Sequence, residues 1–174
     1  HAADVTQTLH VLLLNGLSDH LPEIAVFSLL LAALVHDLGH DGHTNAFHVR
    51  DHSALAVTYN DKSVQENMHV SETFRILQNE ETNILCNLSD DTFRKLRMMM
   101  IENILATDMS EHFALSAMFK SMVSDIESGN SQDVIETTCF VNPDNRRVLR
   151  QYALHAADVS NAAKPTTIAK EWTR

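Results

Sequence analysis

Residue types suited to binding a metal ion are concentrated in one short segment, HDLGHDGHTN at 36–45, which follows an apolar run. His36 and His40 would lie on one face if this segment were helical, with Asp37 within reach of the same ion or of a second one. A neutral imidazole beside a carboxylate suits a divalent Zn, Mn or Mg ion. The pattern therefore predicts a metal site. A lone His-Asp pair is more often a solvated helix end, so this prediction needs support from the rest of the chain.

That support comes from a pentapeptide, His-Ala-Ala-Asp-Val, which occurs at 1–5 and again at 155–159. Its His and Asp would share one helical face, and its alanines leave room for a neighbouring helix. The flanking sequences differ, so the two copies are not a structural repeat. Metal sites in helix bundles are built from side chains on facing helices. The two pentapeptides and the His36-Asp37 pair could therefore supply a histidine, a His-Asp pair and an aspartate to one site.

Helices are predicted to position these residues, because the chain of 174 residues has only four glycines, three prolines and 44% hydrophobic residues. Capping residues and prolines predict helix starts near Pro22, Ser89 and Asn142. The apolar run 24–35 is shorter than the roughly 20 residues of a membrane span. It is therefore predicted to be a buried core helix that carries the metal motif.

Charge and cysteine content restrict the classes of function. The net charge is −10, from 13 basic and 23 acidic residues, which disfavours a nucleic-acid-binding surface. Cys86 and Cys139 show no C-x-x-C spacing, which favours a reducing compartment. With no membrane span or signal-peptide arrangement recognised, we expect a cytoplasmic protein.

Five segments, taken together, carry a resemblance to a known family. They are HAADVTQ at 1–7, HDLGHDGHTNAF at 36–47, YNDKSVQENMH at 59–69, LATDMSEH at 105–112 and HAADVSNAAKP at 155–165. In this order they resemble the catalytic domain of the class I 3′,5′-cyclic nucleotide phosphodiesterases, within the HD-domain metal phosphohydrolases, and the resemblance covers nearly the whole chain. It implies an all-α, multi-helix HD-type bundle, in which residues 1–174 form a partial catalytic domain truncated at both ends.

The resemblance further implies that His1, His36, Asp37 and Asp158 bind two divalent ions, Zn at the first site and Mg or Mn at the second. The donor types agree, since two histidines and two carboxylates from three helical segments leave coordination positions open for water. Asp37 would bridge the ions, and the hydroxide that they activate would attack a cyclic phosphate. The alternative is that the four residues are capped or paired polar groups of the core.

Other family positions fall on His40, Glu66 and His69, which the resemblance places beside the metal ligands and their waters. Met68 stands where the family often has a second histidine. An exposed helix acid is the competing interpretation of Glu66. The family's general acid, which protonates the leaving 3′ oxygen, lies a few residues upstream of His1 and is expected to be outside this chain.

Substrate contacts are expected at Asp108, Met109 and Asn161. An amide at Asn161 could both donate to and accept from a purine edge, and family members with asparagine here tend to favour cAMP, so cAMP is favoured over cGMP. The purine-clamping glutamine of the family is expected downstream of Arg174. His155 is expected to be a supporting or core histidine, because its i+3 partner Asp158 is the expected ligand. Six further histidines are expected to be structural or on the surface: His10, His20, His43, His48, His52 and His112.

The leading hypothesis is therefore metal-dependent hydrolysis of cAMP or cGMP to the 5′-monophosphate, which would terminate cyclic nucleotide signalling. Regulatory domains are expected elsewhere in a longer parent chain, and the isolated fragment is expected to be inactive or weakly active. One alternative is another HD-type nucleotide phosphohydrolase. A second alternative is a non-catalytic regulatory domain of the same fold.

Overall fold

The structure, a computed structural model, describes residues 1–128 and 142–172, without the side chains of 126–128. Nine α-helices and three short 3₁₀-helices run through this part of the chain, and it contains no strand. The predicted all-α class is confirmed. The α-helices are α1 (Ala2–Leu14), α2 (Glu23–Val35), α3 (Asn45–Arg50), α4 (Ala54–Tyr59), α5 (Val64–Leu77), α6 (Asp90–Leu105), α7 (His112–Ser128), α8 (Pro143–Asp158) and α9 (Thr166–Glu171), and the 3₁₀-helices are Leu17–His20, Met109–Glu111 and Val159–Ala163.

Helix α2 lies at the centre of the core and packs against α1, α5, α6 and α8. Leu29 on α2 is fully buried, as are Leu96 and Ile104 on α6 and Leu154 on α8. The prediction of a core helix at 24–35 is therefore confirmed, although Phe27 and Leu34 remain exposed on its outer side. Burying several large apolar side chains against one helix fixes the position of its C-terminal end, where the metal motif begins.

The predicted helix starts agree with the observed caps. The Ser89 hydroxyl accepts from the backbone N–H of Thr92 at the start of α6, and the Asn142 side chain accepts from Asp144 N at the start of α8. Each cap satisfies one of the backbone donors that a helix N-terminus leaves without an intrahelical partner. Pro22 immediately precedes α2 as its N-cap residue.

Buried polar contacts fix α8 against α6. Arg150 Nη2 donates to Glu102 Oε2 at 2.8 Å, and Arg150 Nε donates to the side-chain oxygen of Asn103, Oδ1, at 3.5 Å. Arg150 and Asn103 are both buried. A buried charge is costly unless it is paired, so this contact favours one particular alignment of the two helices. That alignment fixes the position of the C-terminal end of α8, where Asp158 lies.

Among residues 1–128 and 142–172, no helix is both long enough and apolar enough to cross a membrane.

Candidate metal centre and adjoining cleft

Helix α2 ends at Val35, and the metal motif continues from it as a tight turn. Leu38 N donates to Val35 O, and His40 N donates to Asp37 O. Gly39 has φ +78°, which a side chain would strain. His36 and His40 therefore do not share one helical face, and the spacing argument made from the sequence was wrong on this point. The turn separates the two histidines because the chain leaves the helix at His36.

Four side chains converge at this turn: His1, His36, Asp37 and Asp158. Asp158 Oδ1 lies 2.6 Å from His1 Nε2 and 3.3 Å from His36 Nε2. Asp37 Oδ2 lies 3.7 Å from His1 Nε2 and 3.6 Å from His36 Nε2. The residues come from the start of α1, the end of α2 and the end of α8. The sequence-predicted ligand set is thus brought together in space.

The protonation pattern of His36 shows why this cluster suits a cation. The ring is buried, and its Nδ1 lies 3.0 Å from the Ala33 carbonyl, to which it can only donate. In the neutral ring Nε2 therefore has a lone pair, and that lone pair faces two carboxylates. Burial disfavours the charged ring, but Asp158, Asp37 and the Ala33 carbonyl outweigh burial and raise the pKa of His36. The electrostatics thus favour a positive charge among these atoms, which either a proton or a metal ion can provide.

The two His-Ala-Ala-Asp-Val segments contribute opposite ends to the centre. His1 of the first segment faces the centre, while its Asp4 pairs with Lys164. Asp158 of the second faces the centre, while its His155 is buried and lies 2.8 Å, Nε2 to Nδ1, from His112. Burial lowers the pKa of His155, and the neighbouring His112 lowers it further. The expectation that His155 is a supporting or core histidine agrees with this position.

His69 and His40 lie next to the centre with their rings stacked, centroids 5.7 Å apart. His69 Nδ1 lies 2.8 Å from Leu38 O, so Nδ1 donates and Nε2 is bare toward Asp37 Oδ1, 3.8 Å away. Burial lowers the pKa of His69, which favours this neutral form. His40 Nδ1 accepts from Gly42 N at 3.0 Å, so a neutral His40 has its hydrogen on Nε2. His69 thus offers an acceptor and His40 offers a donor.

Asn45, the first residue of α3, contacts the start of α5 through two hydrogen bonds. Its Nδ2 donates to Glu66 Oε2 at 2.8 Å, and its Oδ1 accepts from Gln65 N at 2.9 Å. Burial raises the pKa of Glu66, and the charges of Asp108 and Asp37 raise it further, against the Asn45 hydrogen bond. Glu66 is thus a partly buried, oriented carboxylate, which disagrees with the interpretation of it as an exposed helix acid.

Ser63 is a contact that sequence reasoning missed. Its hydroxyl donates to Asp108 Oδ2 at 2.8 Å, while Asp108 Oδ1 accepts from Ser110 N. Ser63 has φ +40°, and Asn67 Nδ2 stabilises this bend by donating to the carbonyls of Lys62 and Ser63. The segment YNDKSVQEN thus forms a strained turn that holds Asp108. Its many Asn, Asp and Ser residues were the available signal, since these types tolerate the left-handed region or cap turns.

A cleft of about 360 Å³ adjoins the centre and is lined by four of the predicted site residues, His40, Glu66, Asp108 and Met109. Met109 is 60% exposed and available to a ligand. Asn161 does not line this cleft. It lies on the 3₁₀-helix after Asp158, and its Oδ1 is buried with no hydrogen-bond partner in the described part of the chain.

Comparisons with known proteins agree with the resemblance. Residues 1–174 match the family model described as 3'5'-cyclic nucleotide phosphodiesterase. The probable 3',5'-cyclic phosphodiesterase pde-1 of Caenorhabditis elegans is 41% identical over 174 residues, which are 99% of this chain and 24% of the relative. The dual specificity calcium/calmodulin-dependent 3',5'-cyclic nucleotide phosphodiesterase 1B of Mus musculus is 40% identical over an alignment of 175 positions, which covers 100% of this chain and 30% of that protein.

Among solved structures, the phosphodiesterase domain of the RhoPDE fusion protein from the choanoflagellate Salpingoeca rosetta superimposes with a TM-score of 0.87 at 36% identity. The alignment covers 99% of this chain and 52% of that one. The fold is therefore the helical HD-type fold of phosphodiesterase catalytic domains. The chain belongs to the 3′,5′-cyclic nucleotide phosphodiesterase family. It spans 24% and 30% of the length of the two relatives named above.

Proposed function

We propose that this chain contributes the metal-binding part of an enzyme that hydrolyses 3′,5′-cyclic nucleotides to 5′-monophosphates. The observation that supports the proposal most strongly is the convergence of His1, His36, Asp37 and Asp158 in a member of this family. The cleft lined by His40, Glu66 and Asp108 begins three residues after Asp37 and could admit a small polar substrate.

The donor set fits divalent metal ions. Two imidazoles and two carboxylates match the ligands of catalytic zinc, and the half-exposed Asp37 leaves an oxygen free toward a second, harder ion such as Mg or Mn. We propose Zn at the His1, His36, Asp37 and Asp158 site and Mg or Mn beside Asp37. When bound, such ions supply positive charge for the cyclic phosphate and a water of lowered pKa.

The chain's own side chains would orient the reactants. His69 Nε2 would accept a hydrogen bond from an attacking water, and His40 Nε2 would donate to a phosphate oxygen. Asn45 would hold the Glu66 carboxylate in one orientation, so that it accepts from water at the cleft. Asp108, whose carboxylate accepts a hydrogen bond from Ser63, would border a substrate bound in the cleft that His40 also lines. A proton for the leaving 3′ oxygen would come from a group outside these residues.

A panel of nucleotides tests this function. The full-length natural protein, supplied with Zn and Mg, is assayed with cAMP, cGMP, a nucleoside triphosphate and a nucleoside 5′-monophosphate. We expect release of 5′-monophosphate from a cyclic substrate and loss of that activity in His36→Ala. Hydrolysis of only the linear nucleotides would support another HD-type phosphohydrolase. A metal-replete wild-type protein with no activity on any substrate would support a regulatory domain.

A second test compares two residues of the turn. Asp37→Ala should lower activity more than His40→Ala, because Asp37 would contact both ions whereas His40 would only support them. Loss of a supporting partner typically costs about 10–100-fold in metal affinity or activity. Equal and mild losses in the two variants would contradict the proposed centre.

We further propose a modest preference for cAMP. Asn161 lies three residues after the proposed ligand Asp158 and carries an amide that can both donate and accept. The relative from Mus musculus is named as a dual specificity enzyme, so we expect measurable hydrolysis of both cyclic nucleotides. The ratio of kcat/KM for the two substrates is the measurement. A strong preference for cGMP would contradict the proposal.

A further inference from the structure

A second group of metal-ligand side chains lies on the turn that follows the first centre. It consists of Asp41, His43 and His48, whose nearest ligand atoms all lie within 4.8 Å of one another. Asp41 Oδ1 is 3.4 Å from both His43 Nδ1 and His48 Nε2, and Asp41 Oδ2 is 3.3 Å from His48 Nε2. None of these three residues belongs to the His1, His36, Asp37 and Asp158 centre.

These separations match the edges of a tetrahedral zinc site. Zinc binds histidine nitrogen and carboxylate oxygen at about 2.0–2.2 Å, so two ligands of a tetrahedral ion are about 3.3–3.5 Å apart. The Asp41-to-histidine distances fall in this range. The three residues could therefore bind one ion with little rearrangement.

The ring of each histidine is already oriented. His48 is buried, and its Nδ1 lies 3.0 Å from Ser53 Oγ, a contact that fixes the ring. The half-exposed His43 ring stacks on Phe47 with centroids 4.1 Å apart. Gly42, with φ +85°, bends the chain so that His43 N donates to Asp41 Oδ1. Side chains held in place in this way lose little further entropy on binding an ion.

Gln65 lies against all three residues of the cluster. Its Nε2 donates to Asp41 Oδ1 at 2.7 Å and to His43 O at 3.1 Å, and it lies 3.1 Å from His48 Nε2. Asp41 and His43 therefore use both amide hydrogens. His48 Nε2 either donates to Asp41 Oδ1, 3.4 Å away, or keeps a lone pair that can bind a cation.

Gln65 Oε1 is buried and has no hydrogen-bond partner among the described residues, although Gln65 Nε2 is fully hydrogen-bonded within the cluster. A bound ion or water is one explanation for a buried polar atom without a partner.

We propose that Asp41, His43 and His48 form a further metal site that takes one zinc-class divalent ion, with Gln65 orienting Asp41. The ion would fasten the turn at 41–43 to α3, and that turn directly follows His40. Its role would be to stabilise the segment that borders the cleft. The proposal does not depend on catalytic activity.

Metal stoichiometry tests the proposal. The full-length natural protein and its variants are stripped with a chelator, equilibrated with Zn²⁺, dialysed and analysed for metal per chain. His43→Ala should bind one ion fewer than the parent, and its half-exposed side chain makes misfolding unexpected. Asp41→Asn serves as a second variant, with circular dichroism as the check on folding. The matched control is His10→Ala, which removes an exposed histidine of α1 and should leave the stoichiometry unchanged.

A third comparison separates this site from the first centre. His36→Ala should lose metal from the first centre yet keep the ion that His43→Ala loses, and the double variant should show both losses. The proposal is overturned if His43→Ala and the parent bind equal amounts of zinc. It is also overturned if His10→Ala loses the same ion, since binding would then be non-specific attachment to surface histidines.

Discussion

Asp158→Asn is the most informative change to the proposed first centre, because Asp158 Oδ1 contacts both histidine Nε2 atoms. Asparagine keeps the shape of the side chain and removes its charge. The substitution should therefore weaken zinc binding without opening a cavity. Zinc that binds only the folded chain, through residues from three helices, stabilises that chain by RT ln(1 + [Zn]/Kd).

The expected magnitude follows from this relation. At zinc about 100-fold above Kd, the free energy of unfolding should rise by about 2.7 kcal/mol. For a domain of this size that is a Tm increase of about 5–11 °C. Loss of a group that merely supports a metal ligand costs about 10–100-fold in affinity, and this is a lower bound for loss of a ligand. At the same zinc concentration, Asp158→Asn should then gain at most about 0.4–1.4 kcal/mol, or about 1–6 °C.

Differential scanning calorimetry with and without zinc measures these shifts. All chains in the comparison carry His43→Ala, so that the second cluster does not contribute. Asp144→Asn is the matched control, since it removes an exposed carboxylate from the other end of α8. It should change the baseline Tm but leave the zinc-induced shift intact. An equal zinc-induced shift in Asp158→Asn and its parent would refute the placement of zinc at this centre.

Two further predictions concern stability without metal. Burial raises the pKa of Glu66 in the folded state, so protonation of Glu66 increases the free energy of unfolding. This contribution is complete below the ordinary carboxyl pKa and is lost as pH rises through the raised pKa. Glu66→Gln should therefore raise the Tm of the metal-free protein at neutral pH but not at acid pH. Glu80→Gln, at an exposed position, should leave the Tm unchanged at both pH values. Equal effects of the two substitutions would contradict this prediction. Leu29→Ala should lower the free energy of unfolding by about 2–5 kcal/mol in a denaturant titration, because its side chain is fully buried in the core. Leu34→Ala, on the exposed side of the same helix, should cost within about 0.5 kcal/mol, and similar losses in both variants would disprove this packing of α2.

The helices of this protein could be predicted from its sequence because their signals are local. Ser89 and Asn142 act as caps within three residues of the groups that they satisfy, and the apolar run before His36 identifies the core helix on its own. The proximity of the four proposed ligands was predictable for a different reason. His1, His36, Asp37 and Asp158 stand in segments that resemble a known family, and the resemblance supplied a long-range proximity that spacing alone does not contain.

The remaining features depend on contacts between distant segments, which no local pattern encodes. Ser63 meets Asp108 across 45 positions of sequence, and Gln65 reaches His48 across 17. The helical spacing of His36 and His40 was misleading because periodicity does not show where a helix stops. His48 was expected to be structural or on the surface. It is buried, and its Nε2 lies 3.3 Å from Asp41 Oδ2 because the turn before α3 folds back on that helix, which residue types alone do not show.

The position of the first centre has a physical basis in the helix ends. Two of the three helices that supply it do so at their C-termini, since His36 directly follows α2 and Asp158 is the last residue of α8. Unpaired carbonyls give a helix C-terminus about half a negative charge, which adds to the two carboxylates in attracting a cation. The two copies of the pentapeptide contribute different residues to the centre because they lie at opposite ends of their helices. At the start of α1 the residue nearest the helix end is the histidine, and at the end of α8 it is the aspartate. The helix end thus decides which residue of the pentapeptide reaches the centre.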